Sequence, residues 1–178
     1  MQQKLIAMAA GMLVAGTAAL ALAQQQKKAP LSPPAQASVT IDGKKITIDY
    51  SAPSMRGRKI FGGLVPYGKV WRAGANKATT LKTEADLQIG NLAVPKGEYT
   101  LYVWPEAGQW QLIVNKQTGQ WGTVYNQDMD LGRVPMDMSK PPSPVETFVI
   151  TLTGTGGHQG LLKMAWENTA ASVPVTVK

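Results

Sequence analysis

The chain has 178 residues, 44% of them hydrophobic, and no cysteine. A disulfide framework is excluded, so stability has to come from one packed core, for which the length suffices. Eighteen Lys and Arg against eleven Asp and Glu give a formal net charge of +7, and a single histidine leaves no set of zinc ligands.

Met1 to Lys4 makes a short positive start, and Leu5 to Ala23 (LIAMAAGMLVAGTAALALA) is apolar and uncharged. It ends in Ala21-Leu22-Ala23, the small-x-small pattern of signal peptidase sites, followed by polar Gln24. The stretch is only modestly hydrophobic, and Lys27 and Lys28 lie on the side that would be translocated. Residues 1–23 are therefore expected to be a cleaved signal peptide, leaving no transmembrane segment and a periplasmic or extracellular protein. Gln24 to Gln36 (QQQKKAPLSPPAQ) reads as a disordered Pro/Gln-rich spacer, and residues 37–178 as one folded domain.

Val39 and Ile41, then Ile46, Ile48 and Tyr50, alternate with polar residues around Asp42-Gly43, the pattern of a hairpin. Thr79 to Ile89, Gly97 to Trp104, Trp110 to Asn115, Val145 to Leu152, Leu161 to Trp166 and Ser172 to Val177 continue the period of two. Glycine and proline clusters separate them, and no stretch has a helical period. The expected fold is all-β, an antiparallel jelly-roll-like β-sandwich. Pro174 places the last strand at a sheet edge.

Between the second and third runs lies SAPSMRGRKIFGGLVPYGKVWRAGANKATT, a long, basic, glycine-rich loop over residues 51–80. From Lys44 to Lys82 there are nine basic residues, offset only by Asp49. Arginine grips carboxylate or phosphate through paired hydrogen bonds, and glycines let backbone N–H groups approach an anion closely. Arg56, Arg58, Lys59, Lys69, Trp71, Arg72 and Asn76 are the candidate binding residues for an anionic small molecule. The same loop also has the means to be structural, because Ile60-Phe61, Leu64-Val65 and Val70-Trp71 can plug one end of the fold. In that role Arg72 is expected to pair with a buried acid.

Asn126, Asp128, Asp130 and Asp137 nearly spell a calcium loop, but Leu131 stands where glycine is needed and Asp137 where a bidentate Glu is needed. A solvated acidic turn is the expectation. His158 sits in the turn TGTGGHQG without a catalytic partner in sequence, and no Gly-x-Ser-x-Gly elbow is present. Trp104, Trp110 and Trp166 fall on strands. Trp71 and Trp121 fall in loops, where they suggest a sugar-stacking platform and a glycan-binding alternative. Nucleic acid is not indicated, since no recognition motif is present. No cofactor or metal is expected, and the protein is read as non-catalytic; the enzyme alternative is a glycan hydrolase using Asp128 and Asp130 as paired carboxylates. No residue pattern sets an oligomeric state.

The segment YSAPSMRGRKIFGGLVPYGKVWRAGANKATT resembles the signature of bacterial domain-of-unknown-function family 2911. The resemblance continues through VPKGEYTLYVWP, WQLIVNK, QWGTVY, VETFVITL and MAWENTAASVPV, nearly the whole expected domain. It implies export, a β-rich fold and a loop that belongs to the domain, and it implies no activity. Ala52 departs from the family pattern, which has a basic residue before the proline; the resemblance implies a weaker grip on any ligand there.

Overall fold

The computed structural model describes residues 30–178. The expected signal peptide, and the expected spacer up to residue 29, lie outside the described residues. Eleven strands follow in order: β1 (Pro34–Ile41), β2 (Lys44–Ser51), β3 (Thr79–Thr83), β4 (Leu87–Ile89), β5 (Leu92–Val94), β6 (Gly97–Glu106), β7 (Gln109–Asn115), β8 (Asp130–Ser139), β9 (Val145–Gly156), β10 (Gln159–Glu167) and β11 (Thr169–Val177). Strand β1 thus begins inside the stretch read as spacer. Among the described residues the only helical element is a single 3-10 turn, Gln127–Met129, capped by the Asn126 side chain.

Every pairing between these strands is antiparallel, in the order β1-β2-β3-β6-β7-β8-β11-β10-β9, with the β4–β5 hairpin attached to β11. The expected two-sheet sandwich is replaced by one curled sheet whose outer strands, β1 and β9, come back together. The period of two says that one face of each strand is buried. It does not distinguish two stacked sheets from one sheet wrapped around the same core.

The seam between the edges closes in two ways. The continuation of β2 bonds to β9, with Phe148 N–H donating to Pro53 O and Met55 N–H to Glu146 O, both at 2.8 Å. Ile150 N–H also donates to Tyr50 Oη at 3.1 Å. Toward the other end side chains do the work, and Gly160 is what admits them. A Cβ at Gly160 would lie 2.6 Å from Ile41 Cδ1. At that end His158 Nδ1 meets Asp42 Oδ2 at 3.2 Å across the two exposed hairpin turns.

Ile46, Ile48, Leu81, Leu101, Leu112, Val114, Met164 and Val173 fill the interior, each 2% exposed or less. Strand β8 escaped the sequence reading, although Val134 and Met136 are buried and Met138 is half-buried at alternate positions. Pro174 is not on an edge strand. Strand β11 has β10 on one side, and on the other β8 as far as Ser172 and β4 from Val175. Pro174 falls in the gap between β8 and β4, where its carbonyl accepts from Gly90 N–H at 2.9 Å. A residue's N and O point to the same side of a strand, so the missing N–H takes no bond from β10 and is felt only on the side of this gap.

Candidate functional site

The 51–80 loop closes one end of the curled sheet with the apolar residues its sequence supplies. Ile60, Phe61, Val65 and Trp71 are all buried. The Phe61 ring lies 4.6 Å from Trp110, and Trp71 stacks on Trp166 at 5.8 Å and 20° while meeting Phe148 edge-on at 4.9 Å. Such aromatic pairs add about 0.5–1.5 kcal/mol each beyond the area they bury. Beyond the end of β3 the loop takes that strand's place beside β6. Trp71 and Val103 exchange two backbone hydrogen bonds of 2.8 Å, and Gly68 N–H donates to Pro105 O at 2.9 Å.

Two acids that the sequence reading passed over hold this loop, and both bind backbone. Glu167, at a bulge between β10 and β9 with φ +55°, accepts from Ile60 N–H at 3.2 Å and Phe61 N–H at 3.4 Å. Glu146 accepts from Arg56 N–H at 2.8 Å. Nothing in a single sequence marks these glutamates apart from others. Their role depends on a chain reversal more than a hundred residues away for Glu167.

The predicted site residues are sorted by this anchoring. Arg56 Nη2 donates to Leu31 O at 2.7 Å, and Arg58 donates through Nε to Met55 O at 2.9 Å and through Nη2 to Ser54 O at 2.8 Å. Both stay exposed while they stiffen the loop. Asn76 Nδ2 donates to Ser32 O at 3.3 Å. Lys59 and Lys69 are exposed and form no ion pair among the described residues. Trp71 is corrected from a stacking surface to a core residue, because its ring is needed inside the aromatic cluster.

Arg72 differs from its expected role. Among the described residues it has no acid partner, so the buried pair foreseen for it is not formed. Its Nε is buried with no hydrogen-bond partner, and burial pushes the guanidinium pKa down from its ordinary value. The stem runs against Gly122, where a Cβ would lie 2.4 Å from Arg72 Cδ and 2.7 Å from Asn76 O. Only glycine fits that position. The chain then turns through two left-handed non-glycine residues, Ala73 at φ +50° and Asn76 at φ +59°. Such conformations cost about 1–3 kcal/mol each and persist where the surroundings impose them.

Around this turn lies a cavity of about 290 Å³ lined by Arg58, Arg72, Gly74, Ser32, Pro53 and Trp166, among others. Two arginines and an indole at one opening can hold a small anion against an apolar wall.

Among the described residues the acidic constellation does not gather into a cluster that could hold a metal ion. Asp130 accepts from Asn115 Nδ2 at 2.8 Å, from Tyr125 Oη at 2.6 Å and from Arg133 at 3.2 Å. Burial and the bond to Asp130 push the Tyr125 hydroxyl up to about 12. Asp128 is exposed, and its N–H donates to Asn126 Oδ1. Asp130 and Asp137 lie seven residues apart on β8, about 23 Å at the usual rise, so no calcium loop closes. The two carboxylates proposed as a hydrolase pair have separate surroundings. Trp104 is half-buried, with the Arg133 guanidinium 5.5 Å from its ring centre.

A family model described as "Protein of unknown function (DUF2911)" matches residues 32–175, most of the chain, and the chain belongs to that family. No curated protein and no solved structure matches it.

Proposed function

We propose that this member of family 2911 is an exported, non-catalytic binding module. In this reading the basic loop both seals the fold and seats a small carboxylate- or phosphate-bearing ligand beside Arg58 and Arg72. The observation that carries the reading is Arg72 itself. A guanidinium held partly out of water by the fold, with Nε buried and no acid beside it, is unfavourable unless something else supplies the charge. An arginine retained only to plug the end would be better replaced by an apolar side chain of the same length. Export is supported by residues 1–23, and a cysteine-free core suits any compartment.

Differential scanning calorimetry with phosphate, citrate and acetate at low ionic strength tests the anion seat. Binding raises the melting temperature by mass action, and low salt favours the contacts. The expected result is a saturable rise in the parent that is lost in Arg72→Met and kept in a Lys59→Ala/Lys69→Ala double variant. A rise lost equally in both would mean general attraction to a basic surface, and would defeat the reading. Export is tested separately by fractionating cells that express the full chain and sequencing the mature N-terminus, expected at Gln24.

A further inference from the structure

A second cavity, of about 270 Å³, is lined by Asp49, Ser51, Lys77, Thr80, Gly119 and Gln120, among others. Ser51 of this lining accepts from Ala75 N–H at 3.2 Å, and Ala75 belongs to the lining of the first cavity. Trp121, 54% exposed, follows Gln120 of this lining in the chain. Its backbone bridges that of Lys77 in antiparallel fashion. Residues directly opposite in such a pair put their side chains on one face, with Cβ atoms about 4.5–5.5 Å apart. The indole and the Lys77 side chain therefore leave the backbone on the same face, and Lys77 belongs to the cavity lining. Lys77 forms no ion pair among the described residues.

Gln120 adds a buried acceptor. Its Nε2 donates to Thr100 Oγ1 at 3.1 Å, Tyr102 Oη at 3.0 Å and Gln117 O at 3.3 Å. The two hydroxyls already donate elsewhere, Thr100 to Gln117 O at 2.7 Å and Tyr102 to Val124 O at 2.6 Å. They must therefore accept from Gln120, which fixes the orientation of its amide. Gln120 Oε1 is left buried with no partner.

We propose that Trp121, Lys77 and the adjoining cavity bind a hexuronic acid residue, a sugar ring bearing a carboxylate. An exposed indole offers a flat face to the C–H side of a pyranose. Ser51, Thr80 and Asp49 offer donors and acceptors to its hydroxyls, and Lys77 meets the carboxylate. The volume lies just below the roughly 300–1,000 Å³ of sites for drug-sized ligands, which suits one ring at a time. This site shares no side chain with the anion seat at Arg72, so either can fail without the other.

The test is a titration of the ¹⁵N-labelled protein with galacturonate, glucuronate and glucose, following the indole N–H resonances, with calorimetry on the variants. The expected result is saturable binding of a uronate with Kd at or below about 1 mM, and glucose at least about tenfold weaker. Trp121→Ala should weaken uronate binding at least about tenfold, and Trp121→Phe should restore most of it. Lys77→Ala should remove the preference over glucose, and Arg72→Met should leave the uronate-induced shift of the Trp121 indole resonance unchanged. Circular dichroism is expected to show each variant folded, since Trp121 and Lys77 are exposed. The proposal is overturned by no saturable binding of either uronate up to about 10 mM, by unchanged binding in Trp121→Ala, or by glucose binding as tightly as the uronates.

Discussion

Replacing Arg72 with methionine separates an arginine that holds the fold from one that the fold merely tolerates. Methionine keeps the unbranched stem that packs on Gly122 and removes the guanidinium with its buried, unpartnered Nε. A buried donor without an acceptor costs about 1–3 kcal/mol. Against the recovery of that cost stands the loss of whatever solvation the rest of the guanidinium retains, so a net gain of about 1 kcal/mol is expected. For a domain of this size that is roughly 2–4 °C in melting temperature. Urea unfolding reads it as a higher midpoint at unchanged slope. Had Arg72 been paired with a buried acid, the same substitution would cost about 3–5 kcal/mol, because a charge would be left alone. The two cases differ by several kcal/mol, far outside the error of the assay. A loss of more than about 1.5 kcal/mol would refute the unpaired arginine and, with it, the anion seat.

Trp71→Ala should cost about 3–5 kcal/mol, since it empties the middle of the Phe61, Trp110, Phe148 and Trp166 cluster, whereas Trp121→Ala should stay within about 0.5 kcal/mol; thermal unfolding of the pair checks both. Glu167→Gln should cost about 1–2 kcal/mol by weakening two long charge-assisted bonds to Ile60 and Phe61, and hydrogen exchange at those amides should quicken. The Tyr125 hydroxyl, pushed up from 10 to about 12, holds its proton more tightly folded than unfolded. Its contribution is therefore complete below about pH 10 and fades as pH rises through about 12. Stability curves from pH 9 upward should fall less steeply in Tyr125→Phe, and an equal fall in both proteins would contradict the assignment.

What the sequence could convey was decided by range. The hairpin around Asp42-Gly43 and the alternation of Ile46, Ile48 and Tyr50 are local, and the structure keeps them. Phe61 and Trp71 were legible as a plug because apolar residues in a long loop have few other places to go. The curl of the sheet was not legible, since closure rests on Pro53 and Met55 reaching β9 and on Gly160 admitting Ile41. These contacts join segments about a hundred residues apart, and no window of sequence contains both sides. Pro174 misled for the same reason: its rule concerns the N–H side of a strand, and which strand lies on that side is a matter of topology. Arg72 was expected to pair with a buried acid, yet the two glutamates that reach the loop, Glu146 and Glu167, bind its backbone.

That reassignment bears on how seal and charge divide within the loop. The seal is complete without any cation: Ile60, Phe61, Val65 and Trp71 fill the end, and Glu146 and Glu167 fasten the backbone over it. Glu146 and Glu167 are therefore occupied with N–H groups, and neither forms an ion pair with the loop's Lys and Arg side chains among the described residues. Arg56 and Arg58 reach carbonyls, which leave their charge in place, while Lys59, Lys69 and Arg72 form no ion pair among the described residues. Cations crowded on one loop repel one another, and each uncompensated pair lowers stability. Fastening the loop by acid-to-backbone bonds keeps it rigid without neutralising that field. For the anion seat proposed above, a left-handed turn at Ala73 and Asn76 held in place beside Arg58 and Arg72 would lower the cost of ordering the loop when a ligand binds.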